Sequence, residues 1–313
     1  MKVVVVGAGA IGTWIGDRLR GIGVEVVYTP RLLEAVEPVA AELAIVAVKS
    51  YDTPGAIAAL QRALPSGGGA TILTLQNGIG NEVLLAEAFG RDAIVAGAVT
   101  VPVRREADGR IVAAQRGGLA LAPLGATAHN WLVAMLASTG VPIRVVADAA
   151  ALKWSKLALN LIANASCAIL DMPPEVLVAD PRLFALEMRV LREFAAVMRA
   201  ADLEPLDLPQ YPVRALLRVV HLPMPIARLL LASRIAKARA GKIPSLLLDL
   251  RQGRRESEVT VLNGAVASEA ARLGVAAPVN ASLARLLAAI AAEPTLWATY
   301  RQAPERLFAE ISR

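Results

Sequence analysis

Lys2-Val3-Val4-Val5-Val6-Gly7-Ala8-Gly9-Ala10-Ile11-Gly12 decides the fold. The run from Lys2 to Val6 is short and almost wholly apolar, as expected of a parallel strand covered on both faces. It passes without a spacer into GxGxxG, and a helical pattern follows through Trp14, Ile15 and Leu19. The glycines have separate tasks: a tight turn, close approach of the backbone to a pyrophosphate, and close packing of helix on strand. N–H groups at the helix start then face the phosphates. GxGxxG alone is weak; between an N-terminal strand and a helix, with a second strand over Val24–Tyr28, it marks a dinucleotide turn at Gly7, Gly9, Ala10, Ile11 and Gly12.

The end of that second strand reports the cofactor. An acid there binds a ribose 2′-hydroxyl, whereas an Arg accommodates a 2′-phosphate. The end reads Tyr28-Thr29-Pro30-Arg31, and Glu25 lies at the wrong end of the strand. Thr29 and Arg31 favour NADP(H), with Arg31 as an ordinary exposed helix-start residue the competing reading.

Further apolar runs follow at Leu43–Val48, Ala70–Leu75 and Ala93–Val101. The first ends in Lys49 and the second in Gln76-Asn77-Gly78, and ligands of a doubly wound sheet sit beyond such carboxyl ends. Ile111–Ala114 and Leu119–Ala122 read as a later pair of strands, and Val141–Val146 closes the sheet. Asp148 suits a helix cap. From there the pattern is helical almost to Arg313, punctuated by prolines. The expected fold is therefore α/β: a Rossmann-type doubly wound sheet over residues 1–147 and an all-helical domain over 148–313.

Composition narrows the function. The 313 residues are 56% hydrophobic but only 4% aromatic, so the cores are built from Ala, Val, Leu and Ile. Net charge is +6, yet the most basic region, Arg228 to Arg255, contains no aromatic residue to stack on bases, which argues against nucleic acid. The single cysteine, Cys167, excludes an intramolecular disulfide and any thiolate metal cluster, and His129 and His221 lack neighbouring ligand patterns, so no metal is expected. No uncharged apolar run reaches the roughly 20 residues of a membrane span. Pro212–Lys242 is apolar and basic together, but its internal prolines argue for short packed helices rather than a membrane-surface helix. The expected setting is cytoplasmic.

Lys153-Trp154-Ser155-Lys156-Leu157-Ala158-Leu159-Asn160-Leu161-Ile162-Ala163-Asn164 carries apolar residues at helical intervals with no Pro or Gly, and reads as one helix. At about 100° per residue, Lys156, Asn160 and Asn164 fall in one slowly drifting row. A cation and two amides on an otherwise apolar helix need partners, from protein or from a polar ligand.

These pieces together resemble the ketopantoate reductase (2-dehydropantoate 2-reductase) family. The matching motifs, in the family's order, are GAGAIG (Gly7–Gly12), AVKSYDT (Ala47–Thr53), LQNGIGNE (Leu75–Glu82), KWSKLALNLIANA (Lys153–Ala165), SLLLD (Ser245–Asp249) and GRRESEVTVLNG (Gly253–Gly264). The resemblance implies a Rossmann domain, a helical domain, and an active site in the cleft between them. It implies NADPH-dependent reduction of 2-dehydropantoate to pantoate for pantothenate and coenzyme A synthesis. Related reduction of another 2-oxo acid, and non-catalytic NADP(H) sensing, are the alternatives. The family's catalytic lysine matches Lys156 rather than Lys153, because the Trp-x-Lys-Leu frame fixes the register. Its asparagines match Asn160 and Asn164, and its substrate-side serine and acid match Ser245 and Glu258. Glu258 joins Lys156 in the catalytic set, either binding a substrate hydroxyl or holding Lys156 in place. Lys49 and Asn77 flank the nicotinamide half. The implied partners are a 2-oxo acid and, at most, a second copy in a homodimer. The chain from Arg31 to Leu43 is shorter than the family usually has.

Overall fold

Strict alternation of buried side chains sets the layers of the first unit. In β1 (Lys2–Val6), Val3 and Val5 face one side of the sheet and Val4 and Val6 the other, all within 1% of complete burial. Val3 and Val5 pack with Trp14, Ile15 and Leu19 of α1 (Ala10–Arg20) and with Leu132 and Leu136 further along. Val4 and Val6 pack with Ala56, Leu60 and Leu85. A strand covered on both faces contributes about 1.5–3 kcal/mol per fully buried Val. Helices therefore lie on both sides of the sheet, which makes it doubly wound.

The computed structural model describes residues 1–29, 39–64, 69–239 and 243–312. It divides into two compact units, Met1–Lys153 with Asp207–Tyr211, and Trp154–Leu206 with Pro212–Arg313. In the first, β2 (Glu25–Thr29), β1, β3 (Leu43–Val46), β4 (Thr71–Thr74) and β5 (Ile94–Val99) run parallel in that spatial order. Strand order reverses beside β1, with β2 on one flank and β3 on the other, and ligands bind at such a switch point. Helices α2 (Thr53–Ala63), α3 (Asn81–Phe89) and α4 (Asn130–Ser138) complete the layers.

One expected pairing is wrong. Ile111–Ala113 forms β7, which pairs antiparallel with β6 (Val103–Arg105) in a separate two-stranded ribbon closed at Asp108-Gly109, where Gly109 has φ 85°. β8 (Leu119–Pro123) instead joins the main sheet, antiparallel to β5 and parallel to the edge strand β9 (Ile143–Val145). An Asp-Gly pair between extended runs is a hairpin signal, and it was the local cue to this arrangement. Segment Asp207–Tyr211 belongs to this unit as well. The Thr100 hydroxyl lies 3.1 Å from the Pro209 carbonyl, and Arg144 Nη1 donates to the Asp207 carbonyl at 2.6 Å.

The second unit is helical. It comprises most of α5 (Ala149–Leu161), then α6 (Ala165–Leu170), α7 (Pro174–Ala179), α8 (Pro181–Ala200), α9 (Val213–Val219), α10 (Met224–Arg239), α11 (Ser245–Arg251), α12 (Asn263–Leu273), α13 (Pro278–Ala292), α14 (Trp297–Tyr300) and α15 (Pro304–Ile311). Asp148 caps α5 as expected, accepting from the Ala151 N–H at 2.9 Å. The basic apolar segment from Pro212 forms two helices, α9 and α10, and Lys242 lies outside the described residues. No described helix is long and apolar enough to cross a membrane.

Candidate active site

In the first unit the glycines are used as their spacing suggests. Gly7 has φ 107°, and a Cβ there would lie 2.8 Å from the backbone of Ala47 and Val48. A Cβ on Gly12 would fall 1.9 Å from the Gly7 carbonyl oxygen, so α1 packs on the turn only because the side chain is absent. Gly9 differs: nothing lies within 4 Å of where its Cβ would be. It caps α1 without a side-chain acceptor, and the first turn, which includes Ala10 and Ile11, holds no acid. The N–H groups of that turn and open space above Gly9 fit a pyrophosphate. Arg31 lies outside the described residues, and Thr29, at the end of β2, is buried.

Lys49 and Asn77, both half-buried, follow β3 and β4. Their loops are tied together by a buried network. Ser50 Oγ and Asn81 Nδ2 each donate to the Asn77 carbonyl at 3.0 Å. Thr53 Oγ1 donates to Asn81 Oδ1 at 2.8 Å, and Gln76 Nε2 donates to Thr53 Oγ1 at 2.8 Å. Thr74 Oγ1 closes the set on Gln76 Oε1 at 3.1 Å. Satisfied polar networks of this kind fix geometry, because each member left alone would cost its desolvation. Lys49 and Asn77 thus share the carboxyl-end rim with the glycine turn.

Lys153 has a distinct role. It is 4% exposed; its ammonium lies 2.7 Å from Glu82 and donates to the Gln76 carbonyl at 2.6 Å. It is a structural cation that clamps the start of α5 to the loop carrying Asn77, all within the first unit.

In the second unit the predicted single helix breaks. α5 ends at Leu161, residues 162–164 form a turn, and Ala163 adopts φ 47°. The left-handed region disfavours an alanine, so something must hold it. Glu187 does: this fully buried carboxylate on α8 accepts the Ala163 N–H at 2.6 Å and also the Ser166 hydroxyl. Asn164 therefore does not continue the row of Lys156 and Asn160. It stands at the start of α6, and its side chain turns back. Asn164 Nδ2 donates to the Asn160 carbonyl at 3.0 Å, and Oδ1 accepts the Leu246 N–H at 3.3 Å. Leu246 follows Ser245, the exposed first residue of α11. Lys156 and Asn160 are half-buried. Glu258 is 3% exposed at the head of the 3-10 turn Glu258–Val261, where Ser257 Oγ accepts the Val259 N–H at 3.2 Å.

Asp171, at the end of α6 with φ 50°, supports this framework from below. One oxygen takes Nε and Nη2 of Arg251 at 3.0 and 2.7 Å, and the other takes Nε and Nη2 of Arg301 at 3.0 and 2.6 Å. Burial alone would raise the carboxyl pKa, but the hydrogen bonds from Arg251 and Arg301 outweigh it and hold it below the ordinary value. Gln302 finishes the joint, its N–H on the Leu170 carbonyl at 2.8 Å and its amide on the Asp171 carbonyl at 2.7 Å.

Sequence reasoning passed over Ser50, Thr53, Gln76, Asn81, Glu82 and Glu187. The first five stand inside the quoted AVKSYDT and LQNGIGNE motifs, around Lys49 and Asn77, so the motifs' own polar residues were the available signal. Glu187 offered one too, as an acid in the apolar stripe of α8 beside Leu186 and Met188.

Known proteins add a second line of support. The family description "Ketopantoate reductase PanE/ApbA" matches residues 20–126, and "Ketopantoate reductase PanE/ApbA C terminal" matches residues 148–291. A 2-dehydropantoate 2-reductase from Halobacterium salinarum is 29% identical over 92% of this chain and 98% of its own. One from Pyrobaculum aerophilum is 30% identical over 78% of this chain and 75% of its own. Among solved structures, a PanE/ApbA family ketopantoate reductase from Ralstonia eutropha JMP134 superposes with TM-score 0.75 at 28% identity, covering 96% of this chain and 99% of that one. D-mandelate dehydrogenase in complex with NADH and anilino(oxo)acetate shares the fold, with TM-score 0.77 at 21% identity over 95% of this chain and 99% of that one. The chain belongs to the ketopantoate reductase family, NAD(P)H-dependent oxidoreductases that act on 2-oxo acids.

Proposed function

We propose that the protein reduces 2-dehydropantoate to pantoate with NADPH, a step of pantothenate synthesis. One observation carries the reading. The Asn164 amide joins Asn160 to the start of α11 beside Ser245, so three substrate-side positions share one hydrogen-bonded framework. The names of the full-length relatives point to the same substrate.

Reduction of a 2-oxo acid needs hydride at the carbonyl carbon and a proton at its oxygen. The reduced nicotinamide supplies the hydride when bound. The Lys156 ammonium polarises the ketone and delivers the proton, meeting negative charge where it develops. Asn160 and Asn164 orient the substrate by amide contacts, and Ser245 hydrogen-bonds it. Glu258 binds a substrate hydroxyl. Lys49 and Asn77 fix the nicotinamide half, and the turn Gly7–Gly12 holds the phosphates.

NADPH oxidation by purified protein, screened against 2-dehydropantoate and other branched 2-oxo acids, tests the assignment. The expected result is highest kcat/KM with 2-dehydropantoate. A higher value with another 2-oxo acid reassigns the substrate, and tight NADPH binding without any turnover points to a sensor. NADPH is expected to be preferred to NADH, with the preference reduced in Arg31→Ala. Equal use of both cofactors by the wild type would overturn the 2′-phosphate assignment.

Glu258→Gln keeps the shape and removes the charge. It is expected to raise KM for the 2-oxo acid by about tenfold, the scale of one hydrogen bond to a charged group. NADPH affinity should stay within experimental error. Unchanged kcat/KM would return Glu258 to the role of an acid at a helix start.

A further inference from the structure

Arg105 is the last residue of β6, on the ribbon outside the main sheet. A two-stranded ribbon is marginal by itself. This one is held because Val103, Ile111 and Ala113 pack against the core cluster that includes Trp14 and Ile15 of α1. The packing carries the Arg105 guanidinium onto the glycine turn. Its Nη2 donates to the Ala8 carbonyl at 2.6 Å and to Thr13 Oγ1 at 3.1 Å, one residue outside the Gly9–Gly12 stretch at either end.

These acceptors are neutral, so they orient the guanidinium without cancelling its charge. Its neighbour Arg104 is paired with Glu106 at 2.6 Å, whereas among the described residues no carboxylate pairs with Arg105. The location makes that unusual. The amino end of a helix carries about half a positive charge, and a cation there is disfavoured unless an anion joins it. The first turn of α1 supplies no acid, and the space over Gly9 is open. A fixed, exposed guanidinium, an acid-free helix terminus and an open glycine each favour an anion.

We propose that Arg105 is a cofactor-binding residue that clamps the dinucleotide pyrophosphate against the Gly7–Gly12 turn. The inference rests on the dinucleotide reading given above and adds to it a residue far from the glycine motif in sequence. Ala8 and Thr13 lie at the turn itself, while a 2′-phosphate belongs at the end of β2, so the pyrophosphate is the group in reach. A guanidinium offers five donors, and those left over after the two protein contacts serve its oxygens.

Equilibrium binding of NADPH and of NADH, followed by fluorescence, tests this in wild type, Arg105→Ala and Arg105→Lys, with melting temperatures recorded for each. Inorganic pyrophosphate serves as a competitor. Arg105→Ala is expected to weaken NADPH and NADH by the same factor, about ten- to a hundredfold, the scale of a charge-assisted hydrogen bond. It should also weaken competition by pyrophosphate, and Arg105→Lys should fall between. Loss of NADPH affinity alone would place the contact on the 2′-phosphate and overturn the proposal. So would a lower melting temperature with unchanged affinities, which would make Arg105 a brace for the turn. Failure of the wild type to bind either dinucleotide would instead sink the underlying cofactor reading, and this inference with it.

Discussion

Lys156→Ala is expected to lower kcat by about 10²–10³, the cost of removing one electrostatic donor aimed at a developing oxyanion. The effect should fall on kcat more than on KM, because the ammonium contributes more in the transition state than in the ground state. NADPH should still bind, since the glycine turn belongs to the other compact unit. Lys156→Arg should not rescue turnover: a guanidinium restores charge but does not release a proton near neutral pH. Lys237, exposed on α10, is a suitable lysine to mutate as a control. An active, NADPH-oxidising Lys156→Ala protein would remove the lysine from the mechanism.

Lys153 looks like the natural control, three residues away and off the polar row, and from sequence its removal should be harmless. Its surroundings predict the opposite. Lys153→Met leaves Glu82 as a buried charge without its cation and takes a donor from the Gln76 carbonyl. Breaking one side of a buried pair costs about 3–5 kcal/mol. The expected result is a large fall in the urea midpoint, with NADPH affinity reduced because Gln76 adjoins Asn77. Replacing both partners, as Lys153→Met with Glu82→Leu, should recover most of the stability, since the desolvation cost of both charges disappears. A single variant as stable as wild type would show that the pair contributes nothing. Lys156 and Lys153 thus separate cleanly: one loss is read in kcat, the other in the unfolding midpoint.

The parts legible in the sequence were those whose causes are local. A strand running straight into GxGxxG and a helix, strands β3 to β5, and the Asp148 cap depend on residues within a turn or two of each other. The missed parts depend on distant partners. Nothing within Leu161–Asn164 announces that the helix stops, since no Gly or Pro is present. The break is set by Glu187 on α8, which rewards the left-handed Ala163 with a hydrogen bond to its N–H. Without knowing that α8 lies alongside, helical periodicity carries Asn164 onto the wrong line. Its pairing with Asn160 and the start of α11 then goes unseen. The same holds for Lys153, whose partners are Gln76 in the β4–α3 loop and Glu82 in the first turn of α3. The ribbon was missed for a different reason: β7 and β8 both read as short apolar strands, and alternation alone does not say which neighbour each will choose.

The Asp171 joint has a consequence for anyone who trims or fuses this protein. Arg301 and Gln302 reach back from near the end of the chain to the far end of α6, the helix that follows the turn that aims Asn164. A chain cut before Trp297 would lose one of the two guanidinium partners of a largely buried carboxylate. It would also lose the indole that donates to the Ala168 and Ile169 carbonyls at 2.9 and 3.0 Å. The tail thus acts as a fastener for residues it never neighbours in sequence. A purification tag belongs beyond α15, and a proteolytic nick ahead of α14 should release the substrate-side scaffold even though every residue in it is still covalently present.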